Sequence, residues 1–142
     1  MVASIGVFAA NRMMDLHDFN GAEALIKRLL QLDSLAGLHR NLLICDLIYC
    51  RLIAGDGKEE IDSLYGKIEK TFMTSMKNFP TVIRTEYVYA MFAQNDLRAA
   101  DKFKKHFEKC AVSYPYQSDI ESEREFMMIA EQVYACRNSA EA

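Results

Sequence analysis

The chain has 142 residues, of which 51% are hydrophobic and 26% charged, and this composition is typical of one ordinary globular domain. A net charge of −3 gives no general attraction to nucleic acid or anionic lipid. No apolar run reaches the roughly 20 residues that a membrane-spanning helix needs. Two prolines and six glycines argue against disorder and against a turn-rich β fold.

Hydrophobic periodicity and turn residues predict an all-α chain of seven helices with short connections. The predicted helices cover residues 3–16, 21–32, 38–54, 58–78, 82–93, 97–114 and 119–136. We expect a single domain over residues 1–136 and a frayed tail at residues 137–142. Ser118 and Glu121 have the spacing of a capping box before the seventh helix.

The third predicted helix contains the most apolar stretch of the chain. Between Leu42 and Ile53, only Asp46 and Arg51 interrupt a run of apolar or nearly apolar side chains. A surface helix would carry its apolar residues on one side alone. The pattern therefore predicts a central helix that is covered from several directions by helices before and after it.

Two turns between helices resemble each other in sequence. Residues 17–22 and 94–100 occupy the same place between two helices, with Phe19 and Leu97 in corresponding positions 78 residues apart. An alanine, Ala22 or Ala100, follows three residues later, where a small side chain lets two helices approach closely. This distance accommodates two units of about 34–40 residues each, so the segment 38–78 becomes a third, longer unit.

The motif Asp18-Phe19-x-x-Ala22, followed by apolar residues at helical spacing, resembles the tetratricopeptide repeat (TPR). Gly6 and Lys104 depart from that pattern, which has aromatic residues at their places. The resemblance implies a right-handed stack of three helical hairpins plus a C-terminal capping helix, with a concave groove that accepts a peptide or helix. Matching residue by residue places in this groove Val7, Asn11, Met14, Arg40, Asn41, Thr85, Tyr89 and Phe92. The alternative is that this face is closed by the seventh helix or by neighbouring units.

Several short blocks, in order, resemble the helical region that follows the membrane part of some bacterial site-2-protease-type zinc metallopeptidases. The blocks cover residues 10–16, 38–41, 60–65, 114–116 and 120–125. This resemblance implies a cytosolic appendage of a membrane-bound peptidase. The His-Glu-x-x-His zinc motif of that family is missing from this sequence, so no catalytic residue is carried over.

Other candidate residues have ordinary structural interpretations. The cysteines, with no C-x-x-C pair and on apolar helical positions, are expected to be buried free thiols in a reducing compartment: Cys45, Cys50, Cys110 and Cys136. The three histidines lie far apart in sequence, and we expect no metal site from them: His17, His39 and His106. The basic residues of the sixth helix are expected to form a solvated face: Arg98, Lys102, Lys105 and Lys109. The acidic residues near the start of the seventh helix are attributed to the helix dipole and solubility: Glu121, Glu123 and Glu125.

The sequence thus predicts a cytoplasmic, non-catalytic protein–protein interaction module without cofactor or metal. Its partner would be a protein or peptide, including the membrane peptidase portion of the same polypeptide, and neither nucleic acid nor direct membrane insertion is expected. Two alternatives remain open. One is a stand-alone helical regulator that contacts nucleic acid through the lysine face, and the other is a small-molecule-binding helical domain.

Overall fold

The computed structural model of the protein describes residues 2–32, 37–55, 57–72 and 76–141. This part of the chain is all-α, as predicted, and has no strands. It contains seven helices: α1 (Val2–Asp15), α2 (Phe19–Leu29), α3 (Gly37–Ala54), α4 (Lys58–Phe72), α5 (Pro80–Phe92), α6 (Leu97–Ala111) and α7 (Gln117–Glu141).

The helix ends differ most from the prediction around α4 and α7. Helix α4 ends at Phe72 instead of residue 78; residues 73–75 lie outside the described part, and residues 76–78 form a turn. Pro80 is the first residue of α5. Proline suits this position because the backbone N–H of the first helical residue has no acceptor within the helix. Helix α7 begins before Ser118, which is therefore not at the predicted capping position, and it continues to Glu141.

The chain forms two compact units, residues 1–69 and residues 70–142. In the first unit, α2 packs against both α1 and α3. In the second unit, α5 packs against both α6 and α7. Helices α1 and α2, and helices α5 and α6, are thus packed pairs. The prediction of a single domain over residues 1–136 stays a prediction.

Helix α3 is the core of the first unit. All eight residues from Leu43 to Cys50 are buried, which confirms that this helix is covered on several sides. The charged Arg51 lies at the edge of this core and bridges α2 and α4. Its guanidinium nitrogens lie 3.0 Å from a carboxylate oxygen of Glu23 and 3.1 Å from one of Glu60. One of the two charges that interrupt the apolar run is therefore neutralised by two neighbouring helices.

The turns before α2 and α6 have the same local geometry. Asp18 caps α2 by accepting a hydrogen bond of 3.0 Å from the Gly21 amide, and Asp96 caps α6 by accepting one of 3.0 Å from the Ala99 amide. The residue before each aspartate, His17 or Asn95, has a positive φ, 62° or 50°. The alanines that follow, Ala22 and Ala100, are 0% and 2% exposed, as expected for close helix contacts.

We predict that Asp18→Ala and Asp96→Ala each lower the free energy of unfolding by about 0.5–2 kcal/mol, because each leaves a helix-end amide without its side-chain acceptor. Urea denaturation followed by circular dichroism measures the loss. The matched controls are Asp18→Asn and Asp96→Asn, which keep an acceptor oxygen and should retain most of the stability. Equal losses for asparagine and alanine at both sites would contradict the capping role.

Candidate functional site

A buried ion pair attaches α7 to α5 in the second unit. The Arg84 side chain is completely buried, and its Nε lies 2.6 Å from Oε2 of Glu123, whose side chain is 10% exposed. The Thr81 hydroxyl donates a hydrogen bond of 3.1 Å to the other carboxylate oxygen of Glu123. The guanidinium also lies 5.6 Å from the ring centre of Phe126. These contacts fix the start of α7 on α5.

A second polar contact connects three helices further along α7. Glu131 accepts a hydrogen bond of 2.7 Å from the Tyr87 hydroxyl of α5 and one of 2.7 Å from Nζ of Lys104 on α6. Burial, followed by the hydrogen bond and the charge of Glu131, raises the pKa of Tyr87 well above its ordinary value. Glu131 thus provides a second attachment of α7, to α5 through Tyr87 and to α6 through Lys104.

A groove of about 430 Å³ lies along α6 and α7. We call its two apolar lining residues the base of the groove: Met127 is 3% exposed, while Met128 is 51% exposed. Its other lining residues are charged: Lys104, Glu108, Glu121, Arg124, Glu125 and Glu131. The groove thus combines a flexible apolar surface with a charged border.

Ion pairs join the two helices at this groove. Arg124 of α7 donates hydrogen bonds of 3.0 and 2.8 Å to the two carboxylate oxygens of Glu108 on α6. This bidentate contact is the main reason why the pKa of Glu108 lies below its ordinary value and that of Arg124 above it. Four carboxylates and two cations line the groove. Its border is therefore acidic, and it can attract a cationic ligand that also carries an apolar side chain.

The predicted groove residues of α1 do not all face solvent. Asn11 is exposed and Val7 is half-buried. Met14, however, is 2% exposed, and its sulfur lies 3.4 Å from Sγ of Cys50 on α3. Met14 is therefore part of the core and does not offer a surface to a partner. The sequence pattern could not distinguish a groove position from a core position here, because methionine suits both.

The predicted groove residues of α3 lie near its beginning. The Arg40 guanidinium donates hydrogen bonds of 2.8 Å to the carbonyl of Leu30 and 2.9 Å to that of Leu32. It thus binds carbonyl groups at the end of α2, as basic side chains commonly do at helix C-termini. Asn41 is half-buried beside it in sequence. The Arg40 guanidinium, predicted to line the groove, is thus hydrogen-bonded within the chain.

On α5, the predicted groove residues are largely covered. Thr85 is fully buried, and its hydroxyl donates a hydrogen bond of 2.8 Å to the carbonyl of Thr81. Tyr89 is 9% exposed. Phe92 is half-buried and packs edge-on against Tyr134 of α7, with ring centres 5.5 Å apart. The seventh helix therefore contacts Phe92 through Tyr134, and closure of the whole predicted face stays a prediction.

The basic and acidic candidates have different outcomes. The basic residues of α6 are all exposed, as expected for a solvated face: Arg98, Lys102, Lys105 and Lys109. Glu121 and Glu125 are exposed, but the interpretation of Glu123 as a solvated residue is wrong, because this side chain is buried against Arg84. The two partners are 39 residues apart, and nothing in the local sequence indicates their pairing.

The cysteines are all free thiols. Cys45 and Cys50 are buried as predicted, whereas Cys110 is half-buried and Cys136 exposed. The reason is their position, because α6 and α7 each have an outer side that the core does not cover. The reducing compartment inferred from the four thiols stays a prediction.

Comparisons with known proteins do not test the resemblances inferred from the sequence. No family model, curated protein or solved structure matches the chain. The TPR-like repeat and the link to bacterial zinc metallopeptidases therefore remain predictions. In the part of the chain that the structure describes, no helix has the length and apolar character needed to cross a membrane.

Proposed function

We propose that this chain is a non-catalytic protein-interaction module that binds a basic amphipathic helix of a partner protein in the groove between α6 and α7. The observation that carries the proposal is the combination of a methionine base and an acidic border in one groove. The sequence predicts a protein or peptide partner. The groove adds where on the chain this partner would bind and which side-chain chemistry it would need.

The methionines favour a helical partner with large apolar anchors. Met128 is about half exposed, whereas its neighbour Met127 is nearly buried. Methionine side chains are flexible and polarisable, so they adapt to differently shaped apolar groups. Amphipathic helices bind such grooves through apolar residues spaced three or four positions apart. The base of the groove therefore supplies contact area without demanding one particular sequence.

The charges favour a basic partner. Glu108 and Glu131 already pair with Arg124 and Lys104, but four carboxylates face only two cations around the groove. Glu121 and Glu125 are two further exposed carboxylates of the lining, which makes the summed formal charge of the lining residues negative. Lysine or arginine residues that flank the apolar stripe of a partner helix would offset it. Charge complementarity of this kind mainly increases the association rate and the selectivity.

The groove is also held in place before a partner arrives. The Arg84–Glu123 pair fixes α7 on α5, and the Arg124–Glu108 pair joins α7 to α6. A preformed groove loses less conformational entropy on binding than one that must be ordered by its ligand. The packed helices thus favour recognition of a partner, and the proposed role is not catalytic.

The matched caps of α2 and α6 support the predicted TPR-like stack of three hairpins and a capping helix as part of this proposal. The proposed setting is the cytoplasm, as an appendage of a membrane-bound metallopeptidase. Reading the coding sequence upstream of Met1 tests the setting. A segment that encodes a membrane helix with His-Glu-x-x-His would support it, and an unrelated upstream sequence would remove it without affecting the groove.

The groove is tested with a fluorescein-labelled helical peptide of leucine and lysine, whose binding is followed by fluorescence anisotropy. We predict that Met128→Ser weakens binding about tenfold, equivalent to about 1.4 kcal/mol, because it removes the exposed apolar contact. We also predict that Glu121→Gln combined with Glu125→Gln weakens binding and makes it less sensitive to salt.

The controls are substitutions of the same kind in the same unit. Val112 is 86% exposed and does not line the groove, so Val112→Ser should leave the affinity unchanged. Asp119→Asn removes one exposed acid of α7 that is also outside the groove lining. Equal losses for Met128→Ser and Val112→Ser, or equally tight binding of an acidic peptide with the same apolar pattern, would refute the proposal.

A further inference from the structure

We propose that one side of α6 is a contact surface for membranes that contain anionic lipids. Four exposed basic side chains of this helix recur at alternating spacings of four and three residues, which places them on one side: Arg98, Lys102, Lys105 and Lys109. Val112 continues the spacing. It directly follows the last residue of α6 with φ −59° and ψ −40°, so the helical geometry extends to it. We call these five residues the basic face.

The C-terminal end of the basic face carries exposed apolar and aromatic side chains. Val112 is 86% exposed and Tyr116 is 63% exposed. Gln117 donates hydrogen bonds of 3.0 and 2.7 Å to the carbonyls of Ala111 and Tyr114, which holds the connection between α6 and α7 at the end of α6. The rings of Tyr114 and Tyr116 pack edge-on, with centres 5.8 Å apart. The fold thus keeps an apolar side chain and a tyrosine ring in solvent at the end of a row of cations.

The charge of the basic face is opposite to that of the whole chain. Asp101 lies on this side, and its carboxylate is 3.0 Å from Nζ of Lys105. Glu108, at the border with the groove, pairs with Arg124 of α7. Four basic residues against one acidic residue leave the face positive, whereas the chain as a whole carries −3. Attraction to an anionic surface is therefore local, and it would orient the chain with this side of α6 toward that surface.

The cations and the apolar end together favour a lipid surface. Clusters of about four to eight basic residues on an amphipathic helix are typical of proteins that bind anionic lipid headgroups. Apolar and tyrosine side chains are stabilised at the boundary between headgroups and acyl chains. A nucleic acid would pair with the cations in the same way but would leave the Val112 side chain in water. The basic face includes no residue that lines the groove, so this inference is independent of the proposed function.

Co-sedimentation of the full chain with lipid vesicles tests this inference. We expect binding to phosphatidylcholine vesicles in which about a third of the lipid is phosphatidylserine, and no binding to pure phosphatidylcholine. The triple variant Lys102→Gln/Lys105→Gln/Lys109→Gln should weaken binding at least about tenfold, because it removes most of the positive charge. Val112→Ser should weaken it about fivefold, because the apolar contact is lost.

The matched control is Lys58→Gln/Lys67→Gln/Lys77→Gln, which removes three exposed lysines outside α6 and changes the net charge equally. This variant should keep most of the binding to phosphatidylserine, and so should Met128→Ser, which alters only the groove. Equal losses for the two triple variants would overturn the inference, as would equal binding to both kinds of vesicle or no binding to either. Tighter binding to a DNA duplex than to the phosphatidylserine vesicles would also overturn it.

A fluorescence measurement locates the contact on the chain. The sequence has no tryptophan, so one introduced tryptophan reports on its own position. The emission of Val112→Trp should move to shorter wavelength when phosphatidylserine vesicles are added, because the ring leaves water. Leu16→Trp, at a position of the first unit that is 65% exposed, should show no such change. Equal changes at both positions, or none at position 112, would contradict contact through the basic face.

Discussion

Replacing Arg84 with methionine should lower the free energy of unfolding by about 3–5 kcal/mol, because the substitution leaves a buried carboxylate without its cation. Arg84 is 0% exposed and the side chain of Glu123 is 10% exposed, so water cannot replace the lost contact. The guanidinium also packs against the ring of Phe126, and that contact would be lost too. Loss of this pair should loosen the start of α7 in particular.

Urea denaturation of three variants separates the pair from the packing around it. The double variant Arg84→Met/Glu123→Leu removes both charges and should recover the greater part of the lost stability. Arg124→Met breaks the exposed pair with Glu108, whose partners are both 49% exposed, and should cost only about 0–1 kcal/mol. A loss for Arg84→Met as small as that for Arg124→Met would contradict the role of the buried pair.

Truncating Ile48 to alanine in α3 should lower the free energy of unfolding by about 2–5 kcal/mol, because it removes buried methyl groups and leaves a cavity. Ile48 is 0% exposed and lies within the continuously buried part of that helix. Leu38→Ala on the same helix is the matched control, because Leu38 is 47% exposed. Its cost should be smaller than about 1 kcal/mol. Equal costs in urea denaturation would mean that α3 is not the core of the first unit.

The parts of the fold that depend on local sequence were predictable. Helix periodicity and turn residues lie within a few positions of the structure they specify, so the seven helices follow from short stretches of sequence. The burial of α3 was also predictable. A helix with apolar residues on all sides must be covered by other parts of the protein, whichever elements these are. Helix ends were less so: nothing before Gln117 indicates that α7 starts there.

The parts of the site that depend on distant residues were not predictable. Glu123 resembles a solvated helix-start acid until Arg84, on another helix, is placed beside it. The groove between α6 and α7 depends on how far apart those helices lie, and periodicity carries no information on that distance.

The central claim is that the groove between α6 and α7 binds a basic amphipathic helix. The most direct test is a nuclear magnetic resonance titration of the isotope-labelled chain with the leucine–lysine helical peptide. We predict that the largest chemical-shift changes occur at the methyl groups of Met127 and Met128 and at the amides of Glu121 and Lys104. Saturable binding whose largest changes fall instead at Asn11 and Arg40, or the absence of saturable changes anywhere, would contradict it.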